Sequence, residues 1–118
     1  MNYRSLLSGL SYRGLVRSAK RDYHVAESGE HYVLFSPGKG TNGNFTVVAR
    51  RGVDYMVKRL GGKRSVTSAE AYAACKRSRF LTDRFAVLNA LYVLVGTNRA
   101  RISKISGQAL HFDIRKHA

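Results

Sequence analysis

Thr67-Ser-Ala-Glu70, continuing through Ala71, Tyr72 and Cys75 to about Lys76, then Arg77-Ser-Arg-Phe-Leu81, then Thr82-Asp83 and the run Arg84-Phe-Ala-Val-Leu-Asn-Ala-Leu-Tyr-Val-Leu-Val95, is the stretch that decides the fold. Thr67 and Glu70 have capping-box spacing: the threonine hydroxyl can accept the amide three residues on while the glutamate reaches back to the amide of the cap. A helix therefore starts at Thr67. Thr82-Asp83 supplies a second cap, a further helix runs to about Val95, and Gly96-Thr-Asn stops it. Two capped helices joined by a five-residue basic link form the centre from which the rest is read.

The second of these helices has an unusual composition. Phe85, Leu88, Leu91, Tyr92 and Val95 make a core-facing stripe, yet the opposite side carries Ala86, Ala90, Val93 and Leu94, leaving Asp83, Arg84 and Asn89 as its polar residues. A helix apolar nearly all round is usually covered on both sides. Its second face is expected to lie against the segments before residue 50, or to form a seam with a second copy or a neighbouring protein.

Upstream, Val53, Met56 or Val57, and Leu60 mark one face of a short helix from Arg51, closed by Gly61-Gly62. Downstream, Ala100–Ile105 and Leu110–Ile114 alternate apolar and polar residues around Ser106-Gly-Gln-Ala109, the pattern of a β-hairpin. In this order, helix, extended link, capped helix, turn, helix and hairpin, residues 51–115 resemble the winged helix-turn-helix superfamily. The resemblance lies in element order, capping and length. It implies that the helix from Asp83 to Val95 would enter a DNA major groove, while Arg99, Arg101, Lys104 and Gln108, on the wing and its approach, would meet the neighbouring backbone. Base reading needs donors and acceptors on the groove-facing side of that helix, and this one offers few. Phosphate contact makes no such demand.

Before residue 51, His31-Tyr-Val-Leu-Phe35 and Phe45-Thr-Val-Val-Ala49 flank a glycine-rich turn and predict a hairpin over 31–49. Gly38, Gly40 and Gly43 satisfy GxGxxG, but a dinucleotide fingerprint lies between a strand and a helix. Here a strand follows, so the loop reads as a connection whose tip carries Lys39 toward phosphates. Residues 1–24 read as a basic N-terminal helix, with Leu7, Leu10 and Gly14 on one side and Arg13, Arg17, Lys20 and Arg21 on another. The absence of acids before Asp22 also fits a targeting segment.

The fold class expected is thus α+β: a winged-helix-like three-helix core with a C-terminal β-hairpin, preceded by a basic helix and a β-hairpin, in a single domain over 1–118. A length of 118 residues, 44% of them hydrophobic and one proline, Pro37, suits one real core. Cys75 is the one cysteine, so no internal disulfide can form, and a reducing intracellular compartment is expected, cytoplasm or nucleoid, with the mitochondrial matrix as the alternative that the acid-free N-terminus offers. No run approaches the ~18 apolar residues of a membrane-spanning helix.

Charge names the partner. Lys and Arg number 21 against 7 Asp and Glu, a net charge of +14, with the cations spread through every stretch. A folded body so basic attracts a polymer of phosphates, DNA or structured RNA. The residues expected to meet it are Arg13, Arg17, Arg21, Lys39, Arg77, Arg79, Arg84, Arg99, Arg101, Lys104 and Gln108, with Thr82 and Asn89 placed for bases or backbone. No acids pair convincingly with histidines as a metal site, no nucleophile motif occurs, and no cofactor is expected. His111, Arg115 and His117 are what a small basic ribonuclease would have to use. The function expected is non-enzymatic nucleic-acid binding of the winged-helix kind, with a structural subunit of a ribonucleoprotein such as a ribosome as the alternative.

Overall fold

The computed structural model describes residues 9–18, 20–38, 43–107 and 109–116. Lys39 and Gln108, His117 and the first eight residues of the expected N-terminal helix lie outside that set. Four antiparallel strands, β1 (Ser11–Arg17), β2 (Asp22–Ser28), β3 (His31–Pro37) and β4 (Gly43–Ala49), form one sheet in chain order. The expected 31–49 hairpin is the β3–β4 pair, with Val33 opposite Val47 and Phe35 opposite Phe45.

The expected basic helix is replaced, where it is described, by β1 and β2. The cause lies in spacing. Arg13, Arg17 and Arg21 recur every four residues, and four fits both the near-3.6 period of a helix and the period of two of a strand. What separates the two is Gly14 and Val16, which turn inward while Arg13, Leu15 and Arg17 turn out. Tyr23 and Val25 of β2 continue the inward face: Tyr23 stacks on Tyr92 at 4.8 Å and Val25 is fully buried. A β-bulge between Tyr12 and Gly14 adjusts the β1 register.

Residues 50–114 follow the order expected from sequence: α1 (Arg50–Leu60), α2 (Ser68–Ala74), α3 (Arg84–Gly96), then the antiparallel pair β5 (Ala100–Ser106) and β6 (Ala109–Ile114). The capping box at Thr67 is formed. Its hydroxyl accepts the Glu70 amide at 3.2 Å, and the Glu70 carboxylate accepts the Thr67 amide at 3.0 Å. Asp83 caps α3 by accepting the Ala86 amide at 2.7 Å. Just before α2, Val66 bridges Phe112 of β6, so the link between α1 and α2 touches the hairpin as a third, single-residue strand.

α3 runs between the sheet and the rest of the helical half. Val87, Ala90, Leu91, Val93 and Leu94 are fully buried, and burial of each valine or leucine among them contributes about 1.5–3 kcal/mol. Gly96 meets Val25, and Tyr92 reaches both Tyr23 and Phe112. The chain itself therefore covers the second apolar face of this helix. The expected stripe is shifted at its start. Phe85, on the first turn, is 73% exposed, whereas Asn89, expected to be a surface polar residue, is only 7% exposed. One continuous hydrophobic cluster runs from Val16 to Ile114.

Candidate nucleic-acid interface

The side chains expected to touch phosphate divide into two groups. Among the described residues, carboxylates hold two of them: Arg13 meets Glu27 at 2.6 Å, sharing it with Arg50, which was not among the expected contacts and lies at 2.6 Å, and Arg101 meets Asp113 at 3.0 Å. Arg99 is engaged differently, donating to the Tyr32 hydroxyl at 2.9 Å and to the Thr97 hydroxyl at 2.9 Å. Arg50 also donates to the Tyr32 hydroxyl, at 3.0 Å, and its guanidinium lies 4.7 Å from that ring. Two cations thus converge on one buried phenol, tying β3 to the start of α1 and the end of α3. The paired arginines hold the Glu27 carboxyl below the usual carboxylate range, the Arg50 hydrogen bond first. These contacts make Arg50 and Arg99 struts of the fold.

Arg17, Arg21, Arg77, Arg79 and Lys104 are exposed and make no ion pair among the described residues. Arg17 and Arg21 sit at the β1–β2 turn. Arg84 is exposed and donates to Ser68 Oγ at 3.4 Å, and Thr82 is exposed beside it.

Arg77 and Arg79 come together with two α1 residues that were not among the expected contacts. A hollow of about 340 Å³ is lined by Arg51 and Tyr55 of α1 and by Arg77, Ser78, Arg79 and Phe80 of the α2–α3 link. Arg51 and Tyr55 are four residues apart, hence neighbours on one helix face. The link is folded by its own bonds: the Ser78 amide donates to the Cys75 carbonyl at 3.1 Å, and the Phe80 amide to Ser78 Oγ at 3.2 Å. Gly52 lets the link approach, since a Cβ there would lie 3.1 Å from Phe80 Cβ. One turn further along α1, Arg59 donates to the Ala74 carbonyl at 3.3 Å and so satisfies the end of α2. The hollow therefore presents three guanidiniums, none paired with a carboxylate among the described residues, beside two aromatic rings. The available signal for Arg51 and Tyr55 was their i,i+4 spacing on the side of the helix away from Val53, Met56 and Leu60.

A second basic groove, about 470 Å³, lies between the end of α1 and the β5–β6 pair, lined by Arg64, Arg101, Arg115 and Lys116 together with Asn98 and Asp113. Its charge is moderated. The Ser65 amide and Arg101 hold the Asp113 carboxyl below its ordinary range, so that it stays ionised and offsets a cation.

The described residues contain no group of three or more His, Cys, Asp or Glu placed to hold a metal ion. His111 Nδ1 lies 3.0 Å from the Ser65 hydroxyl. No helix among the described residues is long and apolar enough to cross a membrane. Comparison with family models, curated proteins and solved structures finds no match in any of the three.

Proposed function

We propose that this chain is a non-catalytic nucleic-acid-binding protein that grips the phosphate backbone, with the hollow formed by Arg51, Tyr55, Arg77, Ser78, Arg79 and Phe80 as its principal contact. The observation that carries the reading is the convergence there of three exposed guanidiniums with no local carboxylate on any of them among the described residues. Charges held together without neutralisation repel one another, a cost that a polyphosphate partner offsets by releasing its condensed counterions. The order of three helices and a hairpin, with the Val66–Phe112 bridge beside it, supports a winged-helix arrangement in which the α2–α3 link lies against the backbone. Since both long faces of α3 are covered, contact with the phosphate backbone rather than insertion of that helix into the groove of a duplex is the mode favoured.

The test is a fluorescence-anisotropy titration with a labelled duplex and a labelled single strand, each about 20 nucleotides long, between about 50 and 200 mM salt. Log affinity is expected to fall linearly with log salt for the intact chain, with a slope about 2 units shallower in the Arg77→Ala/Arg79→Ala variant. Binding that is absent, or insensitive to salt, would remove the reading.

One observation favours the ribonucleoprotein alternative. Cations also occupy the β1–β2 turn, at Arg17, Lys20 and Arg21, and the separate groove lined by Arg64, Arg115 and Lys116. A protein wedged between RNA helices has use for several charged faces, whereas one that lies on a single duplex has use for one.

A further inference from the structure

Phe80 is a wall shared by two hollows. On one side lies the arginine-lined hollow, and on the other a groove of about 250 Å³ between the β4 edge and the start of α3, bounded by Thr46, Val47, Phe85 and Asn89. The aromatic rims are open to solvent, Phe80 at 41% and Phe85 at 73%, and Val47 is 64% exposed. Asn89, by contrast, is 93% buried by its 7% exposure. Its carboxamide makes no hydrogen bond to the described residues, yet it is not sealed off, for no side-chain nitrogen or oxygen among them is both fully buried and unpartnered. Asp83, also on the groove wall, is occupied in capping α3 through the Ala86 amide.

We infer that this groove takes a single unpaired nucleobase from a strand whose phosphates lie on Arg51, Arg77 and Arg79. The inference rests on the nucleic-acid reading above and adds the state of the strand. A flat heterocycle suits the site on three counts. Exposed phenylalanine faces are what an unstacked base stacks on. A carboxamide, with one donor and one acceptor side, matches the hydrogen-bonding edge of a base, adenine best of all. The volume lies below the ~300 Å³ at which drug-sized pockets begin, which is room for a ring and not for a whole nucleotide. The charge beside it selects a nucleic acid over an apolar peptide laid along the β4 edge. A duplex keeps its bases stacked inside, so the groove distinguishes single-stranded or looped nucleic acid from paired.

The experiment compares three labelled probes of equal length with the intact chain: an adenine-rich single strand, the same backbone with abasic sites, and the duplex. The single strand is expected to bind about 5- to 150-fold more tightly than the abasic strand, the size of one stacked base. Phe85→Ala, a surface change that leaves the core intact, and Asn89→Ala are each expected to erase most of that ratio while leaving abasic-strand affinity unchanged. Equal affinity for the base-bearing and abasic strands, with a steep salt dependence kept, overturns the base site and leaves the phosphate-binding reading standing. No binding to any probe overturns both. A dimer in sedimentation equilibrium that Val47→Lys dissociates, with nucleic-acid affinity unaltered, would assign the groove to a second copy and also overturn the inference.

Discussion

Gly14 of β1 and Gly96 of α3 meet backbone to backbone: a Cβ placed on Gly14 would fall inside van der Waals contact with the Gly96 carbonyl oxygen. Gly96 in turn admits Val25, whose side chain occupies the space a Cβ would need. This pair of missing side chains lets the end of α3 lie on the β1–β2 strands, and so joins the sheet to the helical half.

Gly14→Ala is expected to destabilise the protein by about 1–3 kcal/mol, the usual cost of overpacking, because the atom it meets is backbone and cannot rotate away. Gly96→Ala is the stricter test. Alanine favours a helix by about 1 kcal/mol over glycine, so a net loss in urea denaturation shows that the contact outweighs propensity. A net gain would show that α3 is free to shift.

Glu27 gives the fold a pH dependence. Its carboxyl is depressed in the folded state, chiefly by Arg50 and then by Arg13, so its contribution is present above the ordinary carboxylate pKa of ~4 and is lost as pH falls through the folded value. Glu27→Gln is expected to cost ~1 kcal/mol at pH 7 and to flatten the stability profile below pH ~4. Some acid sensitivity should remain, since Glu70 and Asp113 are lowered in the same direction by the Thr67 and Ser65 amides. Thermal melts of both proteins between pH ~3 and ~7 measure the difference. Parallel profiles would deny Glu27 this role.

Thr67→Ala removes the side-chain half of the capping box that starts α2. A loss of about 1 kcal/mol is expected in the denaturation midpoint with the m-value unchanged. Glu70→Gln should lose less, because glutamine can still accept the Thr67 amide.

Arg17→Ala/Arg21→Ala against Arg77→Ala/Arg79→Ala separates the two functional readings. Binding through one principal surface is expected to lose affinity mainly with the second pair, each charge flattening the salt slope by about 1. Equal losses from both pairs, measured on folded RNA and on duplex DNA, would favour a subunit gripped on several sides by RNA.

Much of residues 50–114 was legible because its signals are local. The Thr67–Glu70 box, the Asp83 cap and the alternation in 100–114 each involve residues a few positions apart, and each stands in the structure as read. The first strands were not legible. Arginines spaced by four satisfy either period, and the deciding partner of Gly14 is eighty-two positions away in α3, at Gly96. The same distance in sequence hid part of the candidate site: Arg77 and Arg79 stood out as a basic link, but Arg51 and Tyr55 gained significance once α1 was laid beside it.

Charge, helix caps and the order of the helices and the hairpin follow from the residues taken in order, because composition is additive and caps and alternation act over a few residues. Tertiary structure alone decided that β1 and β2 form strands, that α3 is covered on both faces, that Arg50 and Arg99 are spent on Tyr32, and that Asn89 is turned into a groove. Each of these depends on which distant surfaces exclude water from one another, and that free energy belongs to the packed chain and to no segment of it.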